Sequence, residues 1–302
     1  MTGGLGDALS SVVTLLKPML SIAKMVEAGG RWQVERHDMA SPFYCAIVEG
    51  NCQVEVAGRP SKTLVAGDFI LIPEMHRFRM TSHIPPEPSK PSSRLEIEPG
   101  RIRLGPEDAA IGMRALVGHC RFDTSARELL VSLLPEIIHV SGHDRLMALV
   151  SVIHEETRAA RPGRELILER LLEVLMIEAL RSGPAVEMPP GLLRGLQDRR
   201  LATSLQRIHS ATGGDISVTE LAREAGMSRS GFFEKFRREI GRSPMDYVTD
   251  WRMAIAKTLL KQGKHTNTEI ALKVGYGSAS AFGLAFARHV GLSPRTFQKQ
   301  CS

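Results

Sequence analysis

Ser217-Val218-Thr219-Glu220-Leu221-Ala222 and Thr266-Asn267-Thr268-Glu269-Ile270-Ala271 are one six-residue pattern written twice, 49 positions apart, and Gly226 and Gly275 follow at the same spacing. Beyond the glycines the offset becomes 50, with Ser228, Phe232, Phe236, Gly241, Ser243 and Pro244 falling on Ser278, Phe282, Phe286, Gly291, Ser293 and Pro294. The additional residue of the second copy therefore lies in the turn. Ser217 with Glu220 and Thr266 with Glu269 read as capping boxes, each starting a short helix. Gly226 and Gly275 supply the positive φ that lets the chain leave that helix sharply. Ser228 and Ser278 then cap a second helix, in which Phe232, Phe236 and Ile240, and Phe282, Phe286 and Val290, form one buried stripe.

A helix, a glycine turn and a second helix make a helix-turn-helix, and two of them are expected, at about 217–240 and 266–290. Phenylalanines four apart are core in any small helical bundle, but a buried stripe also fixes what the opposite face presents. At about 100° per residue, that face shows Ser230, Glu234, Arg237 and Arg238 in the first copy. In the second it shows Ser280, Leu284, Ala287 and Arg288, a poorer set for polar readout. Between the copies Val248, Trp251, Ile255 and Leu259 predict one connecting helix over Asp246 to Lys261. Rigidly joined units would enter successive major grooves, since a turn of B-DNA advances about 34 Å.

Charge follows the same division. The 302 residues carry a net +6, yet Gly191 to Ser302 holds 18 Lys and Arg against 9 Asp and Glu, so residues 1–190 are net negative by three. A basic segment of this kind neutralises phosphates without supplying sequence information. The boundary is expected in the proline- and glycine-rich stretch Ser182-Gly183-Pro184 to Pro189-Pro190-Gly191, which no helix can cross. The expected organisation is residues 1–182, a linker at 183–191, and an all-α region at 192–302.

Upstream, from about Arg31, short β-prone runs appear at Phe43–Val48, Cys52–Ala57, Phe69–Pro73 and Ala115–Phe122, with Glu49-Gly50-Asn51 read as a hairpin turn. Pro85 to Ser93 is too poor in apolar residues to pack and reads as a loop. Helical spacing is expected at Ala126–Val140, Arg145–Ala159 and Glu165–Leu180. The last is apolar around more than half its circumference, so it is expected to be buried on more than one side, by the neighbouring domain or by another subunit.

From Leu193 to Gln300 the chain resembles the AraC/XylS family of transcription regulators. The carriers are Ile216 to Ala222, Gly226-Met227-Ser228-Arg229-Ser230, Gly241-Arg242-Ser243-Pro244-Met245-Asp246-Tyr247, Trp251-Arg252-Met253, Val274-Gly275-Tyr276-Gly277-Ser278 and Gly291 to Phe297. Most of residues 6–182 resemble the cupin-type sensory domain of one branch of that family. The carriers there are Phe43-Tyr44, Gly50-Asn51-Cys52, Leu64 to Asp68, Ile72-Pro73, Leu133-Leu134-Pro135 and Arg161-Pro162-Gly163. The fold expected is α+β: an N-terminal cupin-like β-barrel with a helical appendage, then a C-terminal all-α tandem helix-turn-helix domain. The resemblance implies a sequence-specific regulator of double-stranded promoter DNA, acting as a homodimer and answering to a small-molecule effector. It favours activation, through contact with RNA polymerase, over repression. Leu284 stands where family members often carry arginine and Gly283 where they carry a polar residue, so the second unit is the weaker reader.

The base-facing candidates are Arg229, Ser230 and Glu234 in the first unit and Ala279, Ser280 and Leu284 in the second. Arg229 matches a groove-facing position and can address guanine O6 and N7, or a phosphate. Glu234 either accepts from cytosine N4 or pairs along its helix with Arg237 or Arg238. The phosphate candidates are Ser217, Arg237, Arg238, Thr266, Arg288 and Arg295, because most protein–DNA hydrogen bonds go to the backbone.

Other chemistry finds no anchor. No nucleophile-elbow or Walker pattern occurs, and Cys45, Cys52, Cys120 and Cys301 make no metal-binding spacing. Metal-binding cupins display a histidine cluster, whereas here Tyr44 and Cys45 stand near the first position and His76 alone near the second. No enzyme, metal or cofactor is expected. His76 and His119 lie in strand-like contexts without an assigned ligand role. No stretch approaches the roughly 18 apolar residues of a spanning helix, and no export signal opens the chain, so a soluble cytoplasmic protein is expected.

Overall fold

The computed structural model describes residues 8–39, 41–56, 60–87, 94–122, 127–159, 161–182, 190–210 and 213–301. Most of the expected linker, 183–189, and part of the expected proline-rich loop, 88–93, lie outside the described residues. The chain runs α1 (Ala8–Leu16), β1 (Pro18–Gly29), β2 (Gln33–Met39), β3 (Phe43–Val56), β4 (Lys62–Val65), β5 (Asp68–Ile72), β6 (Met75–Thr81), β7 (Arg94–Glu98), β8 (Arg101–Leu104) and β9 (Ile111–Phe122). There follow α2 (Arg127–Ser132), β10 (Ile138–Ser141), α3 (Asp144–Arg158), α4 (Arg164–Ser182), α5 (Leu192–Gln197), α6 (Arg199–Ser210), α7 (Val218–Glu224) and α8 (Arg229–Ile240). Last come α9 (Pro244–Gln262), α10 (Asn267–Lys273), α11 (Ala279–Val290) and α12 (Pro294–Cys301).

Two compact units result, and sequence order does not separate them. One comprises Lys17–Phe122 and Glu136–Pro184; the other gathers Met1–Leu16, Asp123–Pro135 and Ala185–Ser302. The first is a curled sheet, a half-barrel ordered β10-β5-β3-β9-β1-β8-β7, with β4 and β6 also pairing with β3 and β2 pairing with β6. Its inner face buries Val26, Trp32, Phe43, Ile47, Ile70, Ile102 and Met113 in one core. Glu27, 4% exposed, is held between Arg101 at 2.7 Å and Arg114 at 3.1 Å, which ties β1 to β8 and β9.

Three expectations change here. Glu49-Gly50-Asn51 is not a hairpin turn. β3 runs straight through it, pairing with β5 and β9 up to Gly50 and with β4 and β6 beyond Asn51. Gly50 adopts φ +73°, and a β-carbon there would lie 1.8 Å from the Gly112 carbonyl, so its glycine serves a close strand approach, just after the bulge between Ile47 and Glu49. The β region also begins earlier than Arg31, with β1 at Pro18. Finally, the helix expected over Ala126–Val140 stops at Ser132. Pro135 lacks an amide hydrogen and disfavours helix before it, and Ile138 to Ser141 instead pair with Leu71 to Asp68 as β10. The second and third expected helices stand as α3 and α4. On α4 Leu168, Leu172, Leu175 and Met176 are buried, while Ile167 and Val174 are exposed.

The second unit is helical, with a core that includes segments from before the linker. α1 ends where Lys17 takes φ +48° and Pro18 opens β1. Ala8, Leu9, Val12, Val13 and Leu16 of α1 are buried, against α5 and α6 among others. The stretch after β9 contributes Leu130 and Leu133, and the Leu192 amide donates to the Leu133 carbonyl at 3.1 Å.

Candidate nucleic-acid interface

Each repeat folds from its local signals. The Ser217 hydroxyl accepts from the Glu220 amide at 3.2 Å, and the Thr266 hydroxyl from the Glu269 amide at 3.3 Å. Only the second copy closes the full capping box, with the Thr266 amide donating to the Glu269 carboxylate at 2.7 Å. Gly226 and Gly275 have φ of +61° and +79° as expected, and Ser228 and Ser278 cap α8 and α11 through the Gly231 and Ala281 amides. Gly275 answers a second demand: a β-carbon there would meet the Arg252 guanidinium at 2.6 Å. Arg252, on α9, donates to the Gly214 carbonyl at 2.9 Å and lies over the Tyr276 ring at 5.7 Å, so it joins the loop before the first repeat to the turn of the second.

The phenylalanines point inward. Phe232, Phe236, Phe282 and Phe286 are all 0% exposed. Phe236 meets Tyr247 edge-on at 5.7 Å, and Phe286 meets Phe297 edge-on at 5.5 Å. α9 is the shared spine. Tyr247, Val248 and Trp251 are buried in its first half, and Met253, Ala256 and Leu260 enter the core of the second repeat. Of its expected stripe Val248 and Trp251 are fully buried, whereas Ile255 and Leu259 are half-buried, because α9 packs on α6 and α8 at one end and on α10 and α12 at the other.

A second tie spans the repeats. Asp250, buried on α9, binds Arg242 from the turn after α8 and stands 3.6 Å from His289 Nε2 near the end of α11. A side chain in the turn after α8 and one on α11 thus share a single carboxylate. In the core of the first repeat, His209 lies 3.8 Å from Trp251 in a stacked pair. Its Nδ1 is 3.1 Å from the Ala8 carbonyl and its Nε2 2.8 Å from the Tyr247 hydroxyl. A carbonyl only accepts, so Nδ1 carries the proton and Nε2 accepts from the tyrosine. Burial pushes the His209 pKa down to about 4.

Opposite the phenylalanines, Arg229, Ser230, Glu234 and Arg237 on α8 are exposed, as are Ser280, Leu284 and Arg288 on α11; Ala279 is half-buried. Leu284 is 68% exposed, an unusual site for leucine. Among the described residues Arg229, Glu234, Arg237, Arg288 and Arg295 form no ion pair, so Glu234 does not bind Arg237 or Arg238 along its helix. Arg238 is turned to Glu239 at 2.9 Å, which also takes Arg194 at 2.7 Å. Ser217 and Thr266 spend their hydroxyls on capping.

The half-barrel encloses a cavity of about 520 Å³ that no sequence pattern marked. Trp32, Phe43, Phe78, Ile102, Leu104 and Met113 line it, together with Lys24, Arg36, Arg94 and His119. Of the two histidines singled out, His119 is in its wall. Cys45, Cys52 and Cys120 are buried free thiols, and burial pushes the pKa values of Cys52 and Cys120 up to about 12. Among the described residues no group of three or more His, Cys, Asp or Glu is placed to hold a metal ion, and no helix is long and apolar enough to cross a membrane.

The chain matches the family model described as "Cupin" over residues 7–183 and that described as "Helix-turn-helix domain" over residues 221–300. A putative AraC-like transcription regulator of Streptomyces lividans is 32% identical over 97% of this chain and 98% of its own. This chain belongs to the AraC-like transcription regulators. A second AraC-like regulator, from Streptomyces antibioticus, is 31% identical over 97% of this chain and 98% of its own. ToxT of Vibrio cholerae O395 aligns over 95% of this chain and 98% of its own, at 12% identity and a TM-score of 0.37. The regulator is therefore a transcription regulator with an AraC-type helix-turn-helix DNA-binding domain, from a family of regulators and not of enzymes.

Proposed function

We propose that the regulator recognises promoter DNA sequence-specifically through the outer faces of α8 and α11, as a homodimer in the cytoplasm, and that an effector in the half-barrel cavity modulates it. One observation carries the reading: both recognition helices turn fully buried phenylalanines inward onto one spine, leaving Arg229, Ser230, Glu234, Ser280 and Leu284 outward. Arg229, first residue of α8, addresses a guanine edge; Ala279, Ser280 and Leu284 offer apolar contact and one hydroxyl, suited to thymine methyls. Arg237, Arg288 and Arg295, unpaired, take phosphates. Arg238 does so only by leaving Glu239, and Ser217 and Thr266 present helix N-termini to phosphates more than free hydroxyls.

The effector reading is supported by the cavity, whose size suits a small organic molecule. The homodimer is supported by Ile167, Leu171 and Val174, at i, i+4 and i+7 on α4, of which the first and last are exposed. Activation through RNA polymerase rests on the family resemblance. The test is selection of random duplexes by the purified full-length chain. Two short blocks about one helical turn apart, bound about 10³-fold or more over random DNA, are expected. Equal affinity for all duplexes would make it an architectural protein, and a single block would leave α11 contributing affinity alone.

A further inference from the structure

The wall of the cavity is graded from apolar to cationic along its strands. On β9 Met113, Ala115, Val117 and His119 alternate into it, and the antiparallel register sets Val26 beside Ala115 and Lys24 beside Val117 on β1. β2 repeats the gradient, Val34 lying opposite Met80 and Arg36 opposite Phe78 of β6. Phe43, opposite His119 on β3, has its ring 4.9 Å from Phe78 and 5.1 Å from His119. Lys24, Arg36, Phe43, Phe78 and His119 therefore share one end, while the opposite end is mainly hydrocarbon, with the exposed Arg94 of β7 at its rim beside Leu104.

The charges at that end lack a counter-ion. Among the described residues Lys24 and Arg36 form no ion pair, and the one acid in the wall, Glu35, binds Arg77 at 3.2 Å. His119 Nδ1 is buried without a hydrogen-bond partner. Burial, then the nearby Arg36 and Lys24, holds the His119 pKa below its usual value, so the ring is neutral at pH 7 and sits within the field of both cations. A buried polar atom left unmet in an apolar wall is costly unless a ligand meets it, and the two half-buried cations beside it supply a field that favours an anion there.

We propose that this cavity binds an apolar monocarboxylate, its hydrocarbon part among Trp32, Ile102, Leu104 and Met113 and its carboxylate between Lys24 and Arg36 beside His119. The inference rests on the effector reading above and names the class of effector. Arg36 offers the planar fork that matches a carboxylate, Lys24 a second charge, and the His119 nitrogen a further polar contact. The largely apolar remainder disfavours sugars and free inorganic anions.

The test is titration of the full-length protein with octanoate and phenylbutyrate and with their primary amides, by calorimetry and by the emission of Trp32 in the cavity wall. Each carboxylate is expected to bind about tenfold or more tightly than its amide, since a charge-assisted bond is worth about one decade or more. Arg36→Gln and Lys24→Gln should each erase most of that preference while leaving the amide within twofold, and Arg36→Lys should restore part of it. Both positions are half-buried at the more exposed end, so melting curves close to wild type are expected. Equal binding of acid and amide overturns the anion assignment and leaves the effector cavity standing. Carboxylate binding unchanged in the doubly substituted protein places the ligand elsewhere and overturns the assignment too. Absence of binding by acids and amides alike, with Trp32 silent, removes both the assignment and the effector reading of this cavity.

Discussion

Acidification should loosen the DNA-binding unit through His209. In the fold its ring donates from Nδ1 to the Ala8 carbonyl, accepts at Nε2 from Tyr247, and is packed flat on Trp251, 5% exposed. A proton on Nε2 would bury a charge, which is why the pKa falls from 6.5 to about 4, and it would also remove the acceptor for Tyr247. A depressed histidine pKa means that the unfolded chain takes a proton the folded chain refuses between those values. Its stabilising contribution is therefore complete above about pH 6.5 and is lost as pH falls toward 4. At about 1.4 kcal/mol per pKa unit, the loss is about 2 kcal/mol at pH 5 and about 3 kcal/mol once the folded ring titrates. The assay is urea unfolding from pH 7.5 to pH 5, followed by Trp251 emission in a Trp32→Phe background. The comparison is with His209→Phe, which keeps a stacked ring and abolishes the titration. His119 and His154, also depressed by burial, act in the same direction in both proteins and cancel in the difference. His209→Phe should be weaker at neutral pH, because Ala8 and Tyr247 lose their partner, but shallower in its pH dependence by about 2 kcal/mol at pH 5. Parallel curves for the two proteins would refute the reasoning.

Phe286→Ala should destabilise the second repeat by about 3–5 kcal/mol, since its ring is fully buried against Phe282 and Phe297; an unshifted urea midpoint would mean the stripe is not core. Arg229→Ala should weaken binding to the selected site by about 1–3 kcal/mol and relax one base preference, checked by competition against single-base variants. A uniform loss over all sequences would make it a phosphate contact. The double change Ile167→Glu and Val174→Glu, at exposed positions, should shift sedimentation from dimer to monomer without lowering the melting temperature; a dimer that persists locates the interface elsewhere.

The repeat was legible because its signals are local. A serine before a helix, a glycine after one and phenylalanines four apart act within a turn or two of chain, so both helix-turn-helix units and their outward faces could be written down from sequence. The half-barrel was legible only in part. Gly50 looks the same in sequence whether it turns a hairpin or admits a neighbouring strand, and only Gly112 across β9 decides which. The apolar residues from Ile137 to Val140 suit a helix or a strand equally, and Pro135 together with the free edge of β5 chose the strand. The cavity escaped notice because its wall is drawn from β1, β2, β3, β6, β7, β8 and β9, far apart in the chain.

By itself the sequence determined the tandem helix-turn-helix units and the exposure of Arg229, Ser280 and Leu284, since each follows from helical periodicity and short-range capping, and the basic charge of the C-terminal region, which is composition alone. Tertiary structure alone decided that α1 and the segment after β9 belong with the DNA-binding helices, that His209 reaches back to Ala8, and that Lys24 and Arg36 meet His119 at one end of an apolar cavity. Such arrangements depend on contacts between residues far apart in the chain, where burial and register, not local propensity, select the partner.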